Sequence, residues 1–349
     1  MLQVAILGGS GYTGGELLRL LQNHSQVEIT AVTSERFAGK SISDVFPHMP
    51  PAKDLTFEAM NLGKLAEKAE LFFLCLPHKK SQEVVAHLHK ANKKVIDLSA
   101  DYRLKSPEVY EEWYKTSHKF PELLKTAVYG LSELNRKKIE KARIIANPGC
   151  YPTCIILGLA PLMGESISDV IDTNCIIADS KSGISGAGRS PEPAYMFSEA
   201  NESVKAYAIT THRHTPEIEQ ELSSISKRQI TITFTPHLIP MDRGILSTIY
   251  VQLKKDLKLV QVWQIYHNFY LHEPFIRVLK NGMYPNTKAV KGTNFCDIAI
   301  FYDQRKNFLI IVTAIDNLLK GGAGQAVQNM NIMYGFDETS GLKTIPAYP

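Results

Sequence analysis

Residues 3–16, Gln3-Val4-Ala5-Ile6-Leu7-Gly8-Gly9-Ser10-Gly11-Tyr12-Thr13-Gly14-Gly15-Glu16, decide the fold of this chain. An apolar run of strand length ends in glycines, and residues 16–23 then place Leu17, Leu18, Leu20 and Leu21 at helical spacing. Within the turn, Gly9, Ser10, Gly11, Tyr12, Thr13 and Gly14 give the GxGxxG spacing between strand and helix. That frame makes a pyrophosphate site from backbone amides and a helix N-terminus. The chain therefore opens with a dinucleotide-binding unit.

The next segments extend the same pattern. Residues 27–32 read as a second strand, followed by Thr33, Ser34, Glu35 and Arg36. Ser34 and Arg36 suit the 2′-phosphate of NADP, whereas Glu35 alone would suit the ribose hydroxyl of NAD. Further strands are expected at 71–76, ending at Pro77 and His78, and at 94–98, ending at Ser99-Ala100-Asp101-Tyr102-Arg103. Strands alternating with helices imply a doubly wound parallel α/β sheet with ligands at the strand C-termini. Residues 107–120 read as an irregular surface excursion.

Asn147-Pro148-Gly149-Cys150-Tyr151-Pro152-Thr153 marks the change of character. Two prolines and a glycine impose a rigid turn, and Pro152 can enter the first turn of a helix. Cys150 then sits at or just before a helix N-terminus, where the partial positive charge favours a thiolate. A buried structural cysteine is the alternative that these seven residues leave open. Beyond them, a strand at 174–179 leads into Lys181-Ser182-Gly183-Ile184-Ser185-Gly186-Ala187-Gly188-Arg189. The amides of this loop, with Lys181 and Arg189, suit an anion. His212-Arg213-His214 precedes a helix start in which Thr215 caps and Pro216 takes N1. Two histidines without a third ligand argue against a metal and for an acid/base group. Because His214 lies nearer the cap, His212 is the favoured proton carrier.

Residues 230–234 and 244–253 read as antiparallel strands joined through 235–243. More strands at 275–279, 293–302 and 307–314 complete a mostly antiparallel α+β second domain. A glycine-loaded helix from Asn317 returns to the first. The expected division is 1–147 with 317–349, and 148–316.

Composition fits this plan. The chain has 349 residues, 44% of them hydrophobic and 21% charged, with a formal charge of +4 that forms no basic block. No nucleic-acid footprint, no apolar run of membrane-spanning length and no signal peptide are expected. Five scattered cysteines without a CxxC pair indicate a reducing, cytoplasmic compartment.

Taken together, the motifs resemble one family, the N-acetyl-gamma-glutamyl-phosphate reductases of arginine biosynthesis. The matching stretches are GGSGYTGGEL (8–17), LPH (76–78), DLSADYRL (97–104), YGLSEL (129–134) and NPGCYPT (147–153). They continue with KSGISGAGR (181–189), HRHTPEIEQ (212–220), TPHLIPMDRGI (235–245) and DNLLKGGAGQAVQN (316–329). Ser132 and Gly322 depart from residues common in the family. The resemblance implies NADPH-dependent reduction of an acyl phosphate with release of inorganic phosphate, by a homo-oligomer, dimer or tetramer. It makes Cys150 the nucleophile and His212 or His214 the acid/base group. Arg103, Lys181, Arg189 and Arg243 would hold substrate anions. Ser182, Gly183 and Asn317 would approach the cofactor, with Pro77 beside them. The rivals are reductases of aspartyl or carrier-bound aminoadipyl phosphate, or a cofactor-binding regulator without turnover.

Overall fold

The computed structural model describes residues 1–49, 55–164, 169–189, 192–255 and 257–347. The chain forms two compact units. Unit 1 comprises Met1–Gly149 and Gly322–Lys343, and unit 2 comprises Cys150–Gly321 and the tail after Lys343.

Unit 1 is built on seven strands: β1 (Leu2–Leu7), β2 (Val27–Thr33), β3 (Phe57–Glu58), β4 (Leu71–Leu74), β5 (Lys94–Asp97), β6 (Val128–Tyr129) and β7 (Ile144–Ala146). Their order is β3-β2-β1-β4-β5-β7-β6, and every neighbouring pair is parallel. Val4, Ala5, Ile6 and Leu7 are fully buried, as are Leu71 to Leu74. This continuous apolar character follows from helices covering both faces of a parallel sheet. The order reverses between β1 and β4, where Leu7 lies opposite Leu74. Such a switch point opens the crevice in which doubly wound sheets bind ligands.

The return segment differs from a single helix over 317–349. Leu319–Ala323 is a π-turn, and the α-helix runs only over Gly324–Tyr334. Asn317 bonds within unit 2, so the crossing into unit 1 falls at Gly322; residues 348–349 lie outside the described part. The helix is held by buried amides. Asn329 Nδ2 donates to the Gly130 carbonyl at 2.8 Å and to Asn147 Oδ1 at 3.1 Å. Ser132 Oγ donates to Asn329 Oδ1 and accepts from Gln325 Nε2. Ser132, the departure from the family pattern, is thus a hub of this buried polar network. Residues 107–120 also differ from the irregular excursion. Pro107–Tyr114 is a helix whose Tyr110 and Tyr114 are buried, with Tyr110 donating to Asp101 Oδ1 at 2.8 Å.

Unit 2 holds β8 (Ile171–Ser182), β9 (Lys205–Ala206), β10 (Thr233–Leu238), β11 (Ile245–Leu253), β12 (Ile276–Val278), β13 (Cys296–Asp303) and β14 (Phe308–Ile315). The order is β12-β13-β14-β11-β8-β10-β9. The central pairs are antiparallel, but β8–β10 and β12–β13 are parallel. The expected hairpin between 230–234 and 244–253 does not form, because β8 lies between β10 and β11. The connecting residues instead accept bonds from the glycine loop, Ile184 N to Met241 O and Ser185 N to Asp242 O. In β11 every second residue is buried, from Ile245 to Leu253. The buried face carries the Cys150–Leu159 helix, which approaches at Gly158 against Ile249, Ile311 and Thr313. The opposite face is half-exposed.

Candidate active site

In unit 1 the glycine turn fits a dinucleotide phosphate. A Cβ on Gly14 would lie 2.6 Å from the Gly9 backbone, so this crossing of turn and helix admits only glycine. Beside Gly11 there is open space, and Gly11 starts the Tyr12–Leu21 helix without a side-chain cap. Its first amides therefore have the arrangement that binds an anion. Ser10 Oγ and Ser34 Oγ are 2.9 Å apart, joining this turn to the end of β2. Arg36 is exposed there, its guanidinium 5.1 Å above the Phe37 ring. Glu35 Oε1 accepts from the Met60 amide at 3.1 Å, which directs that carboxylate to the neighbouring loop. Pro77 is exposed beyond β4, and the His78 ring accepts from the Ala100 amide.

Asp97 and Asp101 are fully buried beneath this edge. Asp101 accepts from the Lys79 and Ser81 amides at 2.7 and 3.1 Å, shaping the turn after β4. Burial, and then the charge of Asp101, push the Asp97 carboxyl up to about 7. Arg103, expected to touch substrate, is instead a brace. It is buried, and its Nε and Nη2 donate to the carbonyls of Asn147 and Leu98. Asn147 also donates to the Gly322 carbonyl, so the segment before Gly149 is pinned from both sides.

Unit 2 begins with Cys150, the first residue of the Cys150–Leu159 helix. The expected helix start at the cysteine is realised without further loop. Gly321 crosses directly over it: a Cβ there would lie 2.7 Å from the Cys150 Cβ. The glycine load of the return segment is explained at this point by close packing. Tyr151 is buried, with ring centroids of His212, His214 and Phe234 at 5.5, 6.0 and 5.2 Å. His212 is boxed further by Tyr207 and Phe234, and its ring lies 4.8 Å from that of His214. Its Nδ1 accepts from the His214 amide at 3.1 Å, which leaves the proton of the neutral ring on Nε2. Burial, helped by the Arg213 charge, lowers the His212 pKa to about 4. The Thr215–Ser226 helix has His214, not Thr215, at its N-cap. Among the described residues no group of three or more His, Cys, Asp or Glu is placed to hold a metal.

Several sequence expectations need correction here. Lys181 lies in β8, where alternation puts Ser180 and Ser182 on the face of the Cys150 helix and Lys181 on the other. There it pairs with Asp179 at 2.8 Å, and Asp179 Oδ1 lies 3.1 Å from His237 Nδ1. The glycine loop does not offer an anion nest. The amides of Gly183, Ile184 and Ser185 bond the carbonyls of Gly244, Met241 and Asp242. Ser182 is buried and donates to the Gly183 carbonyl. Asn317 joins two loops, accepting from the Gly244 amide at 2.8 Å and donating to Ser185 Oγ at 3.0 Å. Arg189 is exposed, while Arg243 is half-buried 3.7 Å from Asp316.

Two residues that the sequence did not single out complete the site. The Tyr207 hydroxyl donates to that of Tyr151 at 3.2 Å, and Tyr151 donates to the His237 carbonyl at 3.4 Å. Ala208 and Thr210 follow with left-handed φ of 45° and 63°. Non-glycine backbone of this kind is strained and concentrates at functional sites.

Known proteins agree with both units. The family model "Semialdehyde dehydrogenase, NAD binding domain" matches residues 3–142, and "Semialdehyde dehydrogenase, dimerisation domain" matches residues 150–317. The N-acetyl-gamma-glutamyl-phosphate reductase of Geotalea daltonii is 52% identical over the whole of both chains. That of Acetivibrio thermocellus is 48% identical over 98% of each. Among solved structures, aspartate semialdehyde dehydrogenase II of Vibrio cholerae superposes with a TM-score of 0.73 at 16% identity, covering 96% of this chain and 98% of the other. The NADP complex of the Candida albicans aspartate semialdehyde dehydrogenase gives 0.69 at 15% identity, with 96% and 98% covered. These two likenesses concern the fold. With a glycine turn fitted to a dinucleotide in one unit and a cysteine at the first position of a helix in the other, the chain belongs to the semialdehyde dehydrogenase family, among the N-acetyl-gamma-glutamyl-phosphate reductases.

Proposed function

We propose that this chain reduces N-acetyl-γ-glutamyl phosphate to N-acetylglutamate 5-semialdehyde with release of inorganic phosphate, a step of arginine biosynthesis. The observation that carries the reading is Cys150 at the first position of a helix, under Gly321, with the next residue, Tyr151, packed against the His212 and His214 rings. The Cys150 sulfur attacks the acyl carbon; the C–S bond forms, the C–O bond to phosphate breaks, and phosphate leaves. Gly9, Ser10, Gly11, Tyr12, Thr13 and Gly14 would hold NADPH, with Ser34 and Arg36 at its 2′-phosphate, and the bound cofactor would supply the hydride that reduces the thioester. A histidine protonates the resulting alkoxide, then takes the proton back as the C–S bond breaks and aldehyde departs.

His214 is the better proton carrier. With a pKa of about 4, His212 is protonated in roughly one molecule per thousand at pH 7, a poor general acid. Its Nδ1 is also occupied by the His214 amide. His212 then orients its neighbour. Arg189, which is exposed, and Arg243, 3.7 Å from Asp316, would meet the substrate anions.

The protein works as a homodimer or a higher assembly of dimers. Ile177, Tyr250, Phe308 and Ile310 line a groove of about 610 Å³ on the half-exposed sheet face. The matching family model is named for dimerisation. A cytoplasmic location suits five unpaired cysteines. No helix among the described residues is long and apolar enough to cross a membrane.

Mixing enzyme with the acyl phosphate in the absence of NADPH tests the chemistry. The expected result is one equivalent of phosphate released and an acyl group on the Cys150 peptide by mass spectrometry. Cys150→Ser should give neither. Acylation elsewhere, or turnover by the serine variant above about a tenth of wild type, would contradict a cysteine nucleophile.

A further inference from the structure

A second cavity in unit 2 is linked by a hydrogen bond to Tyr151, the residue after the cysteine. It measures about 190 Å³ and lies between Ile184 of the glycine loop, Leu238 and Ile239 after β10, and the segment carrying Glu199, Lys205 and Tyr207. Pockets for whole small ligands run roughly 300–1,000 Å³, so this one takes a fragment of a molecule. Tyr207 forms its wall while donating to Tyr151, the residue after Cys150. Tyr151 in turn donates to His237, whose next two residues are Leu238 and Ile239. Burial first, with the Cys150 charge adding, raises the Tyr207 pKa, so its hydroxyl stays a donor.

The lining selects the fragment. Ile184, Leu238 and Ile239 offer an apolar wall. The polar members are hydroxyls with one cation, Lys205, and one anion, Glu199, so the cavity is neutral in sum. A carboxylate would meet Glu199 as well as Lys205, so the lining gives a net charge no attraction. A neutral acylamino group fits: its alkyl end meets the apolar wall, and its amide meets hydroxyls and Lys205.

We propose that this cavity is the subsite for the N-acyl end of the substrate, with Ile184 and Ala200 setting the permitted acyl length. The proposal rests on the reaction assigned above. It is tested on the full-length protein by phosphate-dependent NADP reduction with the N-acetyl and N-propionyl forms of glutamate 5-semialdehyde. Ala200→Phe, which fills the cavity, should lower kcat/KM for the N-acetyl form about tenfold or more. The iodoacetamide rate of Cys150 should stay at the wild-type value, which shows that the cysteine environment is intact. Ile184→Ala should shift the propionyl-to-acetyl preference about tenfold toward propionyl. If Ala200→Phe does not fold, the Ile184→Ala ratio decides alone. Wild-type turnover with an unchanged ratio in Ile184→Ala overturns the subsite while leaving the reaction standing. Absence of wild-type turnover with either aldehyde overturns the reaction, and the subsite with it.

Discussion

At the scale of single residues, the histidine pair separates what spacing can reveal from what burial decides. In sequence, His214 lies nearer the helix cap, which favours a structural role for it and leaves His212 as the proton carrier. Folding reverses the argument, because His212 is boxed by Tyr151, Tyr207 and Phe234 and stripped of water. His214→Asn should therefore lower kcat by about 10² to 10⁴, whereas His212→Asn should act chiefly on stability and KM. Separate steady-state kinetics on the two variants, with thermal melts, check this. A larger kcat loss in His212→Asn would return the role to that ring. Cys150 was legible because Pro148, Gly149 and Pro152 punctuate the chain beside it. Gly321 was marked only by the glycine load of its segment, and Tyr207, which reaches Tyr151 from a distant segment, was not marked at all. Cys154 is fully buried, its Sγ 3.0 Å from Thr313 Oγ1, and burial pushes its thiol up to about 11. It is a core residue, not a second nucleophile.

At the scale of elements, strands bounded by glycine or proline were readable, and their pairing was not. β10 and β11 look like a hairpin because they are consecutive, yet β8 satisfies an edge of each. Extending β8 through Ser182 also fixed the side to which Lys181 points. The end of β2 carries the cofactor preference. With Glu35 directed to Met60, Arg36→Ala should weaken NADPH by about 1.5–3 kcal/mol and leave NADH nearly unchanged in fluorescence titrations. Equal losses would make Arg36 part of the fold. The end of β5 carries a pH dependence. The folded Asp97 value of about 7 exceeds the roughly 3.9 of an unfolded aspartate. Between these limits the folded state keeps a proton that the unfolded state has lost, so this contribution is present at low pH and fades as pH rises through 7. The melting temperature of wild type minus that of Asp97→Asn should fall between about pH 4 and pH 7. A flat or rising difference would contradict the buried proton.

At the scale of the molecule, two units divide the labour: one sheet presents a dinucleotide turn, and the other carries the cysteine on its covered face. That 244–253 forms a strand was visible in sequence, but not what covers its second face. Tyr250→Asp, placed in the half-exposed groove, should convert the assembly to smaller species by light scattering. An unchanged mass would move the interface elsewhere. The central claim is the reaction itself. Its most direct measurement is the reverse assay of the wild-type protein, in which NADPH appearance is followed with phosphate, NADP and either N-acetylglutamate 5-semialdehyde or aspartate semialdehyde. Phosphate-dependent turnover of the acetylated aldehyde, at least about 100-fold above the other in kcat/KM, is expected from a site that discriminates by shape and hydrogen bonding. Preference for aspartate semialdehyde, or turnover that does not require phosphate, would contradict it.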